Sequence, residues 1–339
     1  MILVTGGTGL VGSHLLYKLL EKGEKVRALC RTNSCKESVK QVFHFYDIDK
    51  ANTLYNQIEW FEGDLLDYFS LLDALKNVKH VYHCAAMVSF KPSDADEMFT
   101  TNTEGTANLV TASIDRHIEK FCYVSSIATL GAAINGHHID EGTFWQNDDN
   151  HSVYSQSKFQ AEMEVWRGTK EGLNAIVVNP SVIIGPGNPE RSSGQLFKSV
   201  ANGMKFYTPG STGFVDVRDV TDTMIALTNS EAANERFVVS SENLDYQQFL
   251  TKVANAYQTQ PPRLKAGKLV IGVGWRLERL RYFLTRKEPR ITKETARSSQ
   301  NRSFYSSDKL KDHLQWKFIP IDQSVKETVA FFIQNKTVV

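Results

Sequence analysis

The chain has 339 residues, and its 39 Lys and Arg nearly cancel its 38 Asp and Glu. That balance gives no general pull towards nucleic acid or an acidic polymer, and no apolar run reaches the roughly 20 residues needed to span a bilayer. The length allows a full α/β core with residues left for a second lobe, and the interspersed charge and aromatic content belong to a folded chain.

Ile2 to Thr5 reads as a buried first strand that runs straight into Thr5-Gly6-Gly7-Thr8-Gly9-Leu10-Val11-Gly12. A cleaved leader is not expected, because removing it would remove this strand. The loop satisfies two spacings at once, Gly6, Gly9, Gly12 and Gly7, Gly9, Gly12. Between a strand and a helix, such glycines let a pyrophosphate approach backbone N–H groups at the helix N-terminus, and Gly12 lets helix and strand pack closely. Leu10 to Leu20 is helical by the spacing of Leu15, Leu16, Leu19 and Leu20, and it stops at Gly23.

Further strands are expected at Lys25 to Cys30, Ile58 to Phe61, Val78 to Cys84, Phe121 to Ser125 and Ala175 to Asn179, with helices near 67–76, 95–117 and 152–171. This alternation predicts a Rossmann-type doubly wound parallel sheet, which binds ligands beyond the carboxyl ends of its strands. Each strand end then offers a candidate. A carboxylate after the second strand would accept from an adenosine 2′-hydroxyl and repel a 2′-phosphate. Arg31 stands there, with Arg27 and Lys36 nearby, so NADP(H) is favoured over NAD(H). The alternative is a solvated loop arginine. Asp64 and Leu65 follow the third strand, where a carboxylate can accept from the adenine amino group. Cys84, Ala85 and Ala86 follow the fourth, where small side chains permit close backbone contact with a cofactor.

Tyr154 and Lys158 are four residues apart, so a helix places them on one face one turn apart. A free phenol, with a pKa of about 10, is a poor acid or base at neutral pH. A neighbouring ammonium and a cationic nicotinamide favour the phenolate and draw that value down. Lys158 also suits the nicotinamide ribose hydroxyls. Ser126, at the end of the fifth strand, is the candidate for holding a substrate oxygen, with Ser125 as the contender.

After Gly185-Pro186-Gly187 the rhythm loosens, with prolines at 189, 209, 261, 262 and 289 and helices expected near 245–258, 268–284 and 321–335. Residues 1–185 are therefore assigned to the dinucleotide domain. A return segment near 210–230 is expected, because Phe214 to Val220 looks like a sheet-edge strand. Residues 186–209 and 231–339 are assigned to a smaller substrate-capping lobe. Trp275 to Lys287 is basic and helically patterned. It reads as an amphipathic lobe helix, the alternative being a segment lying on a membrane surface.

Cys30, Cys35, Cys84 and Cys122 form no C-x-x-C, and three of them sit in or at the ends of strand-like runs, so reduced thiols and a cytoplasmic location are expected. The nine histidines do not cluster with other ligand residues, and His137-His138 lies in a Gly- and Asn-flanked loop, so no metal site is expected.

Taken together, T-G-x-x-G-x-x-G, Ser126 and Y-x-x-x-K resemble the extended short-chain dehydrogenase/reductases, the NAD-dependent epimerase/dehydratase family. The similarity extends to Asn102-Thr103-Glu104-Gly105-Thr106-Ala107-Asn108 and Asn179-Pro180-Ser181. It implies that Pro180, Ser181 and Val182 meet the nicotinamide amide and that Asn102 supports the catalytic region; the alternative for Asn102 is satisfying helix backbone. Ser126 is followed by Ile127-Ala128 rather than the Asp-Glu of the dehydratases. The Arg-Pro and Tyr-Gly of the epimerases are replaced by Asn179-Pro180 and Leu130-Gly131. Val26 to Arg31 and Pro180 to Gly187 are more similar to the dihydroflavonol-reductase-like branch. That resemblance implies NADPH-dependent reduction of a ketone or aldehyde on a largely apolar small molecule, and a homodimer through the helices near 95–117 and 152–171. The competing readings are a nucleotide-sugar epimerase or dehydratase and a dinucleotide-sensing regulator without turnover, whose relatives lack the tyrosine or lysine retained here.

Overall fold

The computed structural model describes residues 1–335 except 33, 35, 90, 91, 134–137, 147–150, 268, 269, 273, 274, 277, 279, 280 and 282–298. In chain order the first half contains β1 (Ile2–Thr5), α1 (Leu10–Glu21), β2 (Val26–Cys30), α2 (Glu37–Tyr46), α3 (Ile48–Tyr55), β3 (Glu59–Glu62), α4 (Tyr68–Ala74) and β4 (His80–His83). Then come α5 (Ala95–Asp115), β5 (Lys120–Val124), a 3-10 turn (Ile127–Thr129), α6 (Val153–Lys170) and β6 (Ala175–Pro180). The second half adds β7 (Val182–Ile184), α7 (Gly194–Ala201), β8 (Phe206–Tyr207), β9 (Ser211–Asp216), α8 (Val217–Thr228), β10 (Glu235–Val239) and β11 (Glu242–Asp245). It ends with α9 (Tyr246–Ala256), β12 (Leu264–Lys265), α10 (Asp308–Leu314) and α11 (Ile321–Gln334).

Seven strands form the expected parallel sheet in the order β10-β6-β5-β4-β1-β2-β3. The order reverses between β1 and β4, which makes the crevice beyond their carboxyl ends the switch point. Side chains alternate between two apolar cores, as a strand's period of two requires. Ile2 and Val4 join α1 and α8 on one face, while Leu3, Phe121 and Tyr123 join α4, α5 and α6 on the other.

Three differences from the expected elements stand out. The 37–55 stretch folds as α2 and α3, and Asp47 caps α3 by accepting from the backbone N–H groups of Asp49 and Lys50. Phe214 to Val220 does not return to the main sheet. Its first part lies in β9, in a separate three-stranded sheet with β7 and β11, and Asp216 then caps α8. The strand that extends the main sheet is β10, paired in parallel with β6 from Glu235↔Ile176 to Val239↔Pro180. Beyond the sheet, a third core gathers Ile184, Phe197, Phe214, Phe249, Val329 and Phe332 from β7, α7, β9, α9 and α11. The Phe214 and Phe249 rings stack 4.2 Å apart. The helix expected near 268–284 and the Trp275 to Lys287 stretch lie largely outside the described residues.

Candidate active site

The loop after β1 is built for close approach. Gly6 has φ +68°, and a Cβ there would lie 2.6 Å from the Ala85 nitrogen, so the loop presses directly on the segment after β4. A Cβ on Gly12 would lie 2.2 Å from the Gly6 oxygen, so this glycine lets α1 start immediately against the loop. Gly9 is the exposed N-cap of α1. No side chain caps that end, and its first turn holds no acidic residue. The N–H groups of Leu10, Val11 and Gly12 have no partner within the helix and lie at the positive end of its dipole, a fit for a pyrophosphate. The Thr5 hydroxyl turns inward instead, 2.7 Å from His83 Nδ1 and accepting from the Ala85 N–H at 3.3 Å. Gly7 is buried and Thr8 half-buried in the same loop.

Around this cradle the other candidates sit at strand ends. Arg31 is exposed after β2, with its backbone N–H donated to Ser34 Oγ. Lys36 reaches over the Trp60 ring at 4.9 Å. Arg27, expected beside them, is buried and spent on Glu59 and on the carbonyls of Ala74 and Lys76, so it takes no part in that group. Asp64 Oδ1 accepts from the Leu66 N–H, and Leu65 is buried against Gly105 of α5. Cys84 and Ala85 are half-buried and Ala86 exposed after β4, and burial pushes the Cys84 thiol well up. Pro180 and Ser181 are buried and Val182 half-buried at the β6–β7 junction, where Ser181 Oγ has no hydrogen-bond partner.

The catalytic candidates gather at the carboxyl end of β5. Ser126 and Tyr154 share a side-chain hydrogen bond. Two residues before Ser126, the Val124 carbonyl accepts from Lys158 Nζ at 2.8 Å, and Tyr123 Oη lies 2.7 Å from the same ammonium. Burial raises the Tyr154 pKa above the ordinary phenol range, and the Ser126 bond works against that rise. The expected downward pull from Lys158 is therefore corrected: the ammonium is engaged with Tyr123 and Val124, and desolvation governs Tyr154. Lys158 itself is buried, which draws its pKa down to about 7.

Asn102 does more than satisfy its own helix. Its Oδ1 accepts from the Met87 N–H at 2.7 Å, and its Nδ2 donates to the Met87 carbonyl at 2.9 Å and to Ser157 Oγ at 3.0 Å. It thus clamps the loop after β4 to α6. Thr106 donates to the Asn102 carbonyl at 2.6 Å, so its oxygen accepts from His83 Nε2 at 2.9 Å. His83 is stacked on Tyr123 and held neutral by burial, with its pKa near 3. Sequence reasoning missed His83, Thr106 and Tyr123, which support Lys158 from below. It also missed Glu162, although i+4 and i+8 from Tyr154 on one helix put Lys158 and Glu162 on the same face. Among the described residues no group of His, Cys, Asp and Glu is arranged to hold a metal ion, and no helix is long and apolar enough to cross a membrane.

The model of the NAD dependent epimerase/dehydratase family matches residues 2–240, which include every part of this site. The chain belongs to that family. Its relatives include sterol demethylase protein B of Methylococcus capsulatus, 30% identical over 302 residues, with 87% of each chain covered. Cinnamoyl-CoA reductase 1 of Petunia hybrida is 25% identical, covering 97% of this chain and 90% of that protein. The solved structure of gox2253 superposes with a TM-score of 0.83 at 30% identity, covering 100% of this chain and 99% of that one. The chain is thus an NAD(P)-dependent enzyme of the extended short-chain dehydrogenase/reductase type, with relatives in the reductase branch that its residues resemble.

Proposed function

We propose that this protein reduces a ketone or aldehyde on a largely apolar small molecule with NADPH. The observation that carries this reading is the gathering of the Ser126 hydroxyl, the Tyr154 phenol and the Lys158 ammonium at the end of β5. When bound, NADPH supplies the hydride to the carbonyl carbon. Ser126 hydrogen-bonds the carbonyl oxygen and so fixes the carbon's orientation. Tyr154 gives its proton to that oxygen as it becomes an alcohol, and its raised pKa keeps the phenol protonated for this task. Lys158, held by Tyr123 and the Val124 carbonyl, lies one turn along the same helix face and suits the nicotinamide ribose hydroxyls.

The apolar substrate class draws support from two sources. Two relatives are named for sterol demethylation and cinnamoyl-CoA reduction, and the sterol and cinnamoyl groups in those names are apolar. Two arginines of the C-terminal half are also already held in largely buried pairs, Arg218 with Asp216 and Glu327 and Arg236 with Glu162 and the Glu141 carbonyl, which leaves neither to grip a nucleotide-sugar diphosphate. The preference for NADPH rests on exposed Arg31, whose planar fork matches a 2′-phosphate.

The test is NADPH consumption against a panel of apolar ketones and aldehydes, with Tyr154→Phe alongside. The variant is expected to bind NADPH nearly as well as the wild type and to lose turnover by roughly 10²-fold or more. Unchanged turnover in Tyr154→Phe removes the phenol from the reaction. Interconversion of nucleotide sugars without net NADPH consumption places the chain with the family's epimerases instead.

A further inference from the structure

Glu162 lies one turn beyond Lys158 on the same face of α6 and is completely buried. Five donors converge on it. Oε2 accepts from Ser125 Oγ at 2.5 Å, Thr129 Oγ1 at 2.8 Å and Asn179 Nδ2 at 3.0 Å. Oε1 accepts from Trp166 Nε1 at 3.1 Å and Arg236 Nη1 at 3.4 Å. Asn179 Nδ2, Trp166 Nε1 and Arg236 Nη1 can only donate, so both carboxyl oxygens are acceptors here. We propose that Glu162 is the positioning residue of this active site, fixing Ser126 through Thr129 and Asn179 and, from one turn along the same helix face, favouring the charged form of Lys158. The inference rests on the reductase reading above.

The first half of the role is geometric. The Ser126 carbonyl shares the single Thr129 hydroxyl proton with Glu162, at 2.9 Å, and accepts from Asn179 Nδ2 at 3.1 Å. Asn179 Nδ2 also lies 3.0 Å from Thr129 Oγ1. The carboxylate thus ties the ends of β5 and β6 and the 3-10 turn into one unit, with the Ser126 hydroxyl projecting from it towards Tyr154. Without the carboxylate, Thr129 and Asn179 lose their common anchor.

The second half is electrostatic. The hydrogen-bond partners of Lys158 Nζ, Tyr123 Oη and the Val124 carbonyl, are both neutral. A buried ammonium with neutral partners tends to lose its proton. The titratable groups that face it are Tyr123 from β5, His83 and Cys84 at the end of β4, and Tyr154 and Glu162 from its own helix. Burial keeps His83, Cys84, Tyr123 and Tyr154 uncharged at neutral pH. Glu162 is the anion of the set, and its field raises the Lys158 pKa against the pull of burial. Arg236 shares that field from the far side of the carboxylate.

The experiment is a lysine-selective NMR titration of the cofactor-free protein, with the signal assigned by Lys158→Arg, run beside kinetics and NADPH binding. In Glu162→Gln the Lys158 midpoint is expected to fall by roughly one to two pH units. The alkaline limb of kcat/KM follows it down, and Glu162→Asp restores both in part. Thr129→Val is expected to lower kcat on the order of tenfold, with NADPH affinity and the Lys158 midpoint unmoved. An unmoved midpoint in folded Glu162→Gln overturns the inference, and so does wild-type kcat in Thr129→Val. If Glu162→Gln does not fold, Glu162→Asp and Thr129→Val decide it by the same two readouts. The two readings fail differently. Full turnover in Tyr154→Phe sinks the redox reading, while wild-type behaviour of the Glu162 and Thr129 variants beside an inactive Tyr154→Phe sinks this one alone.

Discussion

Ser125 and Ser126 are adjacent in the chain, yet their hydroxyls serve opposite sides of the site: Ser125 donates inward to Glu162 at 2.5 Å, and Ser126 meets the phenol of Tyr154. The alternation at the end of a strand produces this division. Ser126→Ala is therefore expected to lower kcat/KM by roughly 10²- to 10³-fold, as loss of an oxygen-holding donor does. Ser125→Ala leaves a buried carboxylate one donor short and is expected to cost about 1.5–3 kcal/mol of stability. Chemical denaturation of both variants beside their kinetics separates the two. A larger loss of turnover in Ser125→Ala reverses the assignment.

The end of β2 decides the cofactor preference. Arg31 is exposed there, and the neighbouring carboxylate of Glu62 is engaged by the Thr32 hydroxyl at 2.5 Å. Arg31→Asp replaces a fork that can pair with a 2′-phosphate by a charge that repels it. The dissociation constant for NADPH is expected to rise on the order of tenfold or more, while that for NADH stays within a few-fold. Titration of both dinucleotides checks it, and equal weakening of the two means that Arg31 does not meet the phosphate.

Much of the site was legible because its signals are local. A strand, a glycine loop and a leucine-patterned helix fix the cradle, and a four-residue spacing fixes the Tyr154–Lys158 face. The rest depended on tertiary context. Phe214-Val215-Asp216-Val217-Arg218-Asp219-Val220 alternates like a strand, but the same valines also fit a helix face once Asp216 caps it, and Val217 and Val220 with Met224 pack into the main core. Residues 37–55 fold as two short helices broken at Asp47, burying Val39, Val42 and Phe43 from α2 and Ala51 from α3, so neither helix sustains a long helical period in the sequence. Glu162 was invisible for a different reason. Its importance lies in donors spread over β5, the 3-10 turn, β6 and β10, which only the fold brings together.

Gly12 tests the cradle itself. A methyl group at this position would collide with the Gly6 carbonyl at 2.2 Å and the Gly7 Cα at 2.8 Å, both backbone atoms that cannot rotate aside. Gly12→Ala must push α1 away from the loop or distort the loop. Dinucleotide affinity is expected to fall on the order of 100-fold or more, because the N–H groups lose their alignment. Calorimetric titration of NADPH reads this directly. Wild-type affinity in a folded Gly12→Ala protein would mean that the pyrophosphate does not sit at this helix end.

Asp219 sets a pH dependence of stability that is independent of catalysis. It is buried on α8, accepting from Trp316 Nε1 at 3.2 Å and the Ile319 N–H at 2.9 Å, and so pins the chain ahead of α11. Burial pushes its carboxyl from 3.8 up to about 7, against the pull of the Ile319 hydrogen bond, with Asp216 adding to the rise. Between these two values the folded protein keeps a proton that the unfolded chain has lost. The contribution is fully present below about 3.8 and is lost as pH rises through about 7. Asp219→Asn is a neutral isostere that forfeits one acceptor at every pH but carries no such slope. Relative to wild type, the variant is expected to gain on the order of 2–3 kcal/mol between about pH 5 and about pH 8. Urea unfolding of both proteins across that range measures the difference. A constant gap would mean that Asp219 ionises as readily in the folded protein as in the unfolded chain.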